Sequence, residues 1–195
     1  MKILLCGAAS TGKTTLQKAL QAIPELKDYH FQREIIRPLK DTYGISINEQ
    51  TDVASQKLIL DSYGSMYRYH QEKGLKNVVY DRGPICALAF TQATRELGKP
   101  TDPRLTELSL NAFLNTMAFF DLFILTKPLP PECFEQSEYR SSDKKYQAKV
   151  DQIYEQFLSQ LPPHRVVRAE GTVEVRVRKV IEAFNYLKYF EGSTK

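Results

Sequence analysis

A glycine-rich segment near the start of the chain constrains the fold more than any other feature of the sequence. Residues 7–14 are G-A-A-S-T-G-K-T, which matches the Walker A pattern G-x-x-x-x-G-K-[ST]. A short apolar segment, residues 2–6, precedes them, and a segment with helical patterning follows. The glycines of such a loop allow a tight turn, so that successive N–H groups and the next helix N-terminus face phosphate oxygens. We therefore predict a loop that binds the phosphates of ATP.

The backbone and the side chains of this loop have different predicted tasks. Lys13 is expected to hold the β- and γ-phosphates, which also makes it a catalytic candidate, and the Thr14 hydroxyl is expected to bind Mg²⁺. Thr15 is counted with the nucleotide-binding segment, although its position also fits the surface of the following helix. The predicted nucleotide-binding residues of the loop are Gly7, Ala8, Ala9, Ser10, Thr11, Gly12, Lys13, Thr14 and Thr15.

Short apolar segments alternate with longer helical patterns along the chain, which is typical of a parallel sheet with crossover helices. The predicted strands are residues 2–6, 29–32, 77–81, 122–126 and 165–168. The predicted helices span residues 12–22, 48–73, 84–97 and 101–118, and a last helix begins at residue 172. We predict an α/β P-loop NTPase fold, a three-layer sandwich whose five-stranded parallel sheet is flanked by helices.

The chain is expected to form one domain over residues 1–195, because it contains no internal repeat and no long linker. A charge-dense stretch after the fourth strand predicts a helical lid at about residues 132–150. Three well-separated cysteines without metal-ligand spacing favour a reducing, cytoplasmic location. No apolar run is long enough for a membrane span, so no membrane partner is expected. The net charge of +4 permits anionic substrates, including nucleic acid.

Asp81 and Arg82 follow the third predicted strand, at the sheet edge where α/β folds bind ligands. Asp81 is predicted to orient Mg²⁺ through a water molecule. Arg82 is a catalytic candidate, because its planar guanidinium can contact the transferred or acceptor phosphate and counter the charge that develops during transfer. The alternative is a surface ion pair at the end of a strand.

The second predicted strand delivers candidate acceptor-binding residues to the same edge. Glu34 is the candidate general base, and Arg37 is expected to orient the acceptor or Glu34 itself. The alternative is an ion pair between residues i and i+3 at a helix N-terminus. Gln56, Tyr63 and Tyr67 share a helix and could line an acceptor pocket that stacks a planar base, or the tyrosines could simply fill the core.

Two further segments are candidates for the nucleotide end of the site. Arg140, with Lys144 and Lys145, lies in the predicted lid, where closure would bring cations over the triphosphate; Arg140 is the catalytic candidate among them. The alternative is a solvated charged surface. Gly171 and Thr172 form a small-residue turn that would pass beside a purine ring, or a plain turn into the last helix.

Together these residues resemble the P-loop nucleoside and nucleotide kinases of the thymidylate kinase-like group, especially the branch with nicotinamide riboside kinase-type domains. The resemblance implies an acceptor site between the P-loop and the second and third strands. It also implies ATP-dependent phosphate transfer to a nucleoside-like hydroxyl or phosphate. The segments that carry it are the P-loop, residues 34–37, 81–83 and 139–140, and Gly171 with Thr172.

Three functions stay open at this point. The first is a magnesium-dependent kinase of free nucleosides or nucleotides, acting as a monomer or homodimer. The second is a kinase that phosphorylates the hydroxymethyl group of a modified pyrimidine, of the 5-hydroxymethyluracil type, in DNA. Some similar phage kinases do this, and the location would then be the host cytoplasm. The third is a nucleotide-dependent ATPase or switch without an acceptor of its own.

Overall fold

The computed structural model describes residues 1–128 and 143–193 and shows a central five-stranded parallel sheet, as predicted. The strands are β1 (Lys2–Cys6), β2 (His30–Gln32), β3 (Val78–Asp81), β4 (Leu122–Thr126) and β5 (Val166–Ala169). Every predicted strand is present, and the bounds differ by at most one residue at either end. The strand order is β2-β3-β1-β4-β5.

Helices cover both faces of the sheet and complete the predicted three-layer sandwich. Successive residues of β1 face opposite sides, so that Leu4 and Cys6 join one hydrophobic cluster and Ile3 and Leu5 join the other. The helices are α1 (Lys13–Gln21), α2 (Ile36–Tyr43), α3 (Val53–Glu72), α4 (Pro84–Glu96), α5 (Pro103–Met117), α6 (Lys144–Leu158) and α7 (Val173–Ser193). The first cluster includes buried residues of α3 to α6, and the second includes buried residues of α1 and α7.

Two parts of the helical prediction were wrong. Helix α3 begins at Val53 and not at residue 48, because Asn48 has a positive φ of 56° and Asp52 caps the helix by accepting from the Ser55 N–H at 2.7 Å. Helix α2 was not predicted. Its Pro38 lies in the first turn, where the missing N–H costs no helical hydrogen bond.

The lid remains a prediction, since residues 129–142, including Arg140, lie outside the described residues. Only residues 143–150 of the predicted lid are described, and they form the beginning of α6. Asp143 caps this helix, and Tyr146 and Val150 are buried. Lys144 and Lys145 are exposed there. None of the helices within residues 1–128 and 143–193 is long and apolar enough to cross a membrane.

Strand register brings the candidate residues together at the carboxyl edge of the sheet. Leu5 of β1 pairs with Asp81 of β3, and Gln32 of β2 pairs with Tyr80 of the same strand. The loop after β1 therefore lies beside the end of β3, and the segment after β2 lies on the far side of β3. This edge is where ligands bind in open α/β sheets.

The loop after β1 packs closely on the end of β4. The Thr126 hydroxyl donates to the Cys6 carbonyl at 3.0 Å, and the Thr11 and Thr126 hydroxyl oxygens lie 2.6 Å apart. Gly7 has a φ of 139°, and a Cβ there would lie 2.4 Å from Thr126 Oγ1 and 2.6 Å from the Thr126 carbonyl oxygen. Only glycine fits this approach between the loop and the strand.

Replacing Gly7 with alanine should therefore lower the free energy of unfolding by about 3 kcal/mol, through backbone strain and the clash with Thr126. Urea unfolding followed by circular dichroism measures the change. Gly44→Ala is the matched control, because Gly44 has a φ of 63° but no atom within 4 Å of the added Cβ. It should cost about 1 kcal/mol. Equal losses in the two variants would contradict the close approach.

Candidate active site

The P-loop has the backbone of a phosphate-binding turn. Ser10 and Gly12 have positive φ values of 58° and 77°, and α1 begins directly after them at Lys13. The buried Lys13 ammonium donates to the Gly7 carbonyl at 3.0 Å and to the Ala8 carbonyl at 2.8 Å. The carbonyl groups of the loop therefore hold the ammonium of the predicted phosphate-binding lysine within the loop.

The electrostatic surroundings of Lys13 disfavour its charge. Burial lowers the pKa of Lys13 to about 8, the positive charge of Arg82 acts in the same direction, and Asp81 opposes both. An anionic ligand beside this ammonium would offset much of the free energy that burying its charge costs. The site is thus positively charged where a phosphate is expected.

Asp81 presents an oxygen that fits the predicted magnesium site. Its side chain is only 7% exposed, and Oδ1 has no hydrogen-bond partner among the residues that the structure describes. Burial raises the pKa of the Asp81 carboxyl, while Arg82 and Lys13 act to lower it. An orphaned buried carboxylate oxygen is a ligand suited to Mg²⁺, which needs few protein oxygens beside waters and phosphates. Asp81 and the exposed Thr14 therefore fit this ion.

Asp81 and Thr14 line a polar cleft between α1 and α2. The cleft has a volume of about 950 Å³, counting its open mouth. Its wall carries both signs of charge, with the carboxylates of Asp81 and Glu34 and the cations of Lys18, Arg33 and Arg37. The lining residues are Thr14, Gln17, Lys18, Gln21, Arg33, Glu34, Arg37, Pro38 and Asp81.

A second, more apolar cleft of about 500 Å³ lies between α2, α3 and α4. Glu34 lines both clefts and therefore stands where they meet. Aliphatic and aromatic side chains dominate the wall away from Glu34. The lining residues are Glu34, Ile36, Ile47, Asn48, Thr51, Gln56, Ile59, Arg82, Cys86, Ala87 and Phe90.

An ion-pair network fixes Glu34 at this junction. Arg82 Nε lies 3.5 Å from Glu34 Oε2, and Arg37 Nε lies 3.7 Å from the same oxygen. Burial acts to lower the pKa of Arg82, but Glu34 and other neighbouring groups outweigh it, so the pKa is raised. Arg82 also has a φ of 73°, a strained value for a residue with a side chain. The predicted i,i+3 pair is therefore present, and the catalytic role of Glu34 stays a prediction.

Gln56 is held in one orientation in the wall of the apolar cleft. Its Nε2 donates to Ser109 Oγ at 2.6 Å and to Thr91 Oγ1 at 3.2 Å. Ser109 in turn donates to the Leu105 carbonyl at 2.7 Å, so its oxygen must accept from Gln56. Both amide protons of Gln56 are therefore used within the protein, and its Oε1 is the atom left to accept a bond from a ligand.

The tyrosines proposed to stack a base lie in the core. Tyr63 is 1% and Tyr67 is 4% exposed, and the two rings stack at 6.1 Å. Tyr67 also packs edge-on against Tyr80 and Phe120. Neither tyrosine lines a described cleft, so the alternative of aromatic core packing describes them better than base stacking does. Their helical spacing matched both interpretations.

The structure adds site residues that the sequence did not single out. Phe90 lines the apolar cleft, and its ring centroid lies 5.6 Å from the Arg82 guanidinium carbon. Arg176, on the buried side of α7, donates to the Thr11 carbonyl of the P-loop at 2.6 Å.

Two predicted residues lie near this end of the site. Gly171 has a φ of 92°, and its carbonyl accepts a hydrogen bond from Arg176. Thr15 is exposed on α1.

Comparisons with known proteins bear on the family and on the fold. A family model described as "AAA domain" matches residues 2–176, and no curated protein matches the chain significantly. The fold is similar to deoxyadenosine kinase from M. mycoides, with a TM-score of 0.67 and 19% identity over 95% of this chain and 100% of that one. It is also similar to thymidylate kinase from Candida albicans, with a TM-score of 0.66 and 19% identity over 96% of this chain and 92% of that one.

A third similar structure is a NadR protein in complex with NAD and AMP-PNP, with a TM-score of 0.67 and 17% identity. The match covers 95% of this chain and 48% of that one. At such identities the likeness establishes the fold alone. The predicted fold of the P-loop nucleoside and nucleotide kinases is thereby confirmed.

The lowered pKa of Lys13 predicts how stability depends on pH. The folded protein releases the Lys13 proton near pH 8 and the unfolded chain near 10.5, so the penalty of burying the charge is present below pH 8 and is relieved between these values. The unfolding free energy of the wild type minus that of Lys13→Met should therefore rise across this window, by up to about 1.4 kcal/mol per pH unit. Urea unfolding at pH 7 to 10.5 measures it.

Lys18→Met removes an exposed lysine from the same helix and is the reference for losing a positive charge from α1. The difference in unfolding free energy between the wild type and Lys13→Met must rise with pH. This rise must be steeper than that of the corresponding difference between the wild type and Lys18→Met. Parallel pH profiles would contradict a buried, destabilised ammonium at Lys13.

Proposed function

We propose that the chain, which belongs to the AAA-domain family, is an ATP- and magnesium-dependent kinase that transfers the γ-phosphoryl group to a hydroxyl of a nucleoside- or nucleotide-type acceptor. The observation that carries the proposal is the location of Glu34. It lines the polar cleft with Thr14 and Asp81 and also lines the apolar cleft with Gln56. A donor phosphate and a planar acceptor in these two clefts would meet at this carboxylate.

The transfer step uses Glu34 as the proton acceptor. The acceptor hydroxyl gives its proton to the Glu34 carboxylate while its oxygen forms a bond to the γ-phosphorus, and the bond from that phosphorus to the ADP oxygen breaks. ADP leaves, and Glu34 later returns the proton to solvent. Mg²⁺, when bound, neutralises charge on the β- and γ-phosphates, and Thr14 and Asp81 are the residues that would hold it.

Lys13 and Arg82 carry the positive charge that such a transfer needs. Lys13 is buried and Arg82 is largely buried at the sheet edge; burial lowers the pKa of Lys13, and the positive charge of Arg82 acts in the same direction. The charge on the transferred group is spread over its oxygens, so two fixed cations stabilise it without reorganising. The Arg82–Glu34 ion pair also restrains the carboxylate beside the two clefts that it lines.

The apolar cleft supports a planar, nitrogen-containing acceptor. Aliphatic walls and Phe90 offer contact area for a ring, and Gln56 Oε1 offers one hydrogen-bond acceptor to an N–H group. The similar solved structures include kinases described as acting on deoxyadenosine and thymidylate. This likeness supports a nucleoside-like acceptor without distinguishing one base from another.

A hydroxymethylated pyrimidine in DNA is the second candidate acceptor. The observation that favours it is the open rim of the polar cleft, which carries Lys18, Arg33 and Arg37. These cations would complement the phosphates of a strand. Two results would support this candidate over the first. Phosphate from labelled ATP would enter modified DNA but no soluble nucleoside, and binding to DNA would fall steeply as the salt concentration rises.

Replacing Glu34 with glutamine tests the proposed role directly. The amide keeps the shape of the side chain but cannot accept the proton, so transfer from labelled ATP should fall by about 100-fold or more while ATP binding is retained. The measurement is label transfer to a panel of nucleosides, nucleotides and modified DNA. Glu25→Gln, at an exposed position before β2, is the matched control and should leave transfer unchanged.

Unchanged transfer in Glu34→Gln would reject Glu34 as the base. Phosphate release by the wild type without any labelled acceptor would favour the ATPase or switch alternative and contradict the kinase.

Replacing Gln56 with leucine tests the acceptor cleft. The substitution removes the amide oxygen that is proposed to accept from the acceptor, and leaves Asn48 in the same wall unchanged, so KM for the acceptor should rise about tenfold while KM for ATP stays nearly constant. Steady-state kinetics with each substrate varied separately give the two values. Tyr63→Phe is the control, because a core tyrosine whose hydroxyl has no described partner should not affect acceptor KM. A rise in Tyr63→Phe comparable to that in Gln56→Leu would contradict a specific contact between Gln56 and the acceptor.

A further inference from the structure

A buried arginine on α7 joins three separate backbone segments at the nucleotide end of the site. Arg176 is 3% exposed. Its Nη1 donates to the Thr11 carbonyl at 2.6 Å, its Nε to the Gly171 carbonyl at 2.8 Å, and its Nη2 to the Lys127 carbonyl at 3.3 Å. One guanidinium thus contacts the P-loop, the turn after β5 and the segment after β4.

The bond to Thr11 determines which way one peptide of the P-loop faces. In a trans peptide the carbonyl and the following N–H point in opposite directions. Because the Thr11 carbonyl points at Arg176, the Gly12 N–H points away from Arg176. The N–H groups at this position of a Walker A loop are donors to phosphate. Thr11 is also held from its side chain, whose Oγ1 lies 2.6 Å from Thr126 Oγ1 and 3.0 Å from the Ala8 carbonyl oxygen.

Arg176 forms no ion pair with a carboxylate within the described part of the chain. All three of its hydrogen-bond partners there are backbone carbonyls. Burial lowers the pKa of the guanidinium, with Glu170 acting in the opposite direction, but arginine remains charged at neutral pH. Burying an unpaired charge costs stability, and an aliphatic residue would fill the same helix face more cheaply. An anion bound at the P-loop would supply the missing negative charge.

We propose that Arg176 is a positioning residue for the phosphates of the donor nucleotide. It fixes the peptide between Thr11 and Gly12 in its phosphate-binding orientation and keeps the Gly171 turn in place beside the loop. It also places a positive charge behind the P-loop. The inference rests on the proposed use of ATP and concerns donor binding, so it does not depend on which acceptor is phosphorylated.

The test is direct binding of a fluorescent ATP analogue in the presence of Mg²⁺, with folding checked by circular dichroism. Arg176→Met should weaken binding about tenfold, because it removes three hydrogen bonds and the charge. Arg176→Lys keeps the charge but loses the planar fork, and should lie between this variant and the wild type. The matched control is Arg178→Met, since Arg178 is 70% exposed on the same helix and should not affect binding.

Kinetics separate positioning from general destabilisation. In Arg176→Lys, KM for ATP should rise while KM for the acceptor stays constant, and an equal rise in both would overturn the inference. A folded Arg176→Met that binds the analogue as tightly as the wild type would overturn it too. If Arg176→Met does not fold, the inference would be overturned by an Arg176→Lys variant that binds the analogue as tightly as the wild type. A wild type that binds no ATP would instead contradict the proposed function itself.

Discussion

The packing of the phosphate loop on the end of β4 is the interaction on which the site depends. Gly7 comes so close to Thr126 that no side chain fits between them, and the Thr11 and Thr126 hydroxyls lie 2.6 Å apart. The loop therefore has one position relative to the sheet. Because β1 lies between β3 and β4, the same contact also fixes the distance from the loop to Asp81.

The second constraint is electrostatic, since four charged groups share a partly buried edge. Lys13 and Arg82 repel each other, and the carboxylates of Asp81 and Glu34 moderate that repulsion. Asp81 Oδ1 has no hydrogen-bond partner among the described residues, and burial lowers the pKa of Lys13, so both groups are ones that a bound ion of opposite charge would stabilise. Such perturbed groups gathered in one cleft are typical of functional sites and are costly for stability alone.

The sequence predicted those features that depend on local pattern. Buried strands appear as short apolar runs, and the Walker A spacing specifies a loop between a strand and a helix, so the sheet and P-loop could be predicted. Tertiary packing decided the rest. Tyr63 and Tyr67 have the same helical spacing whether they face a cleft or the core, and only the neighbouring aromatic rings distinguish the two. No sequence pattern predicts the role of Arg176. Two of its partners, the Thr11 and Lys127 carbonyls, lie more than 40 residues away in the chain and meet it only in the folded protein.

The most direct test of the account is a crystal structure with a nonhydrolysable ATP analogue, Mg²⁺ and the acceptor identified by label transfer. The account predicts the γ-phosphate in the P-loop, the acceptor ring in the cleft beside Gln56 and Phe90, and the acceptor hydroxyl about 3 Å from the Glu34 carboxylate. An acceptor bound outside this cleft, with its hydroxyl beyond the reach of Glu34, would contradict the claim that donor and acceptor meet at this residue.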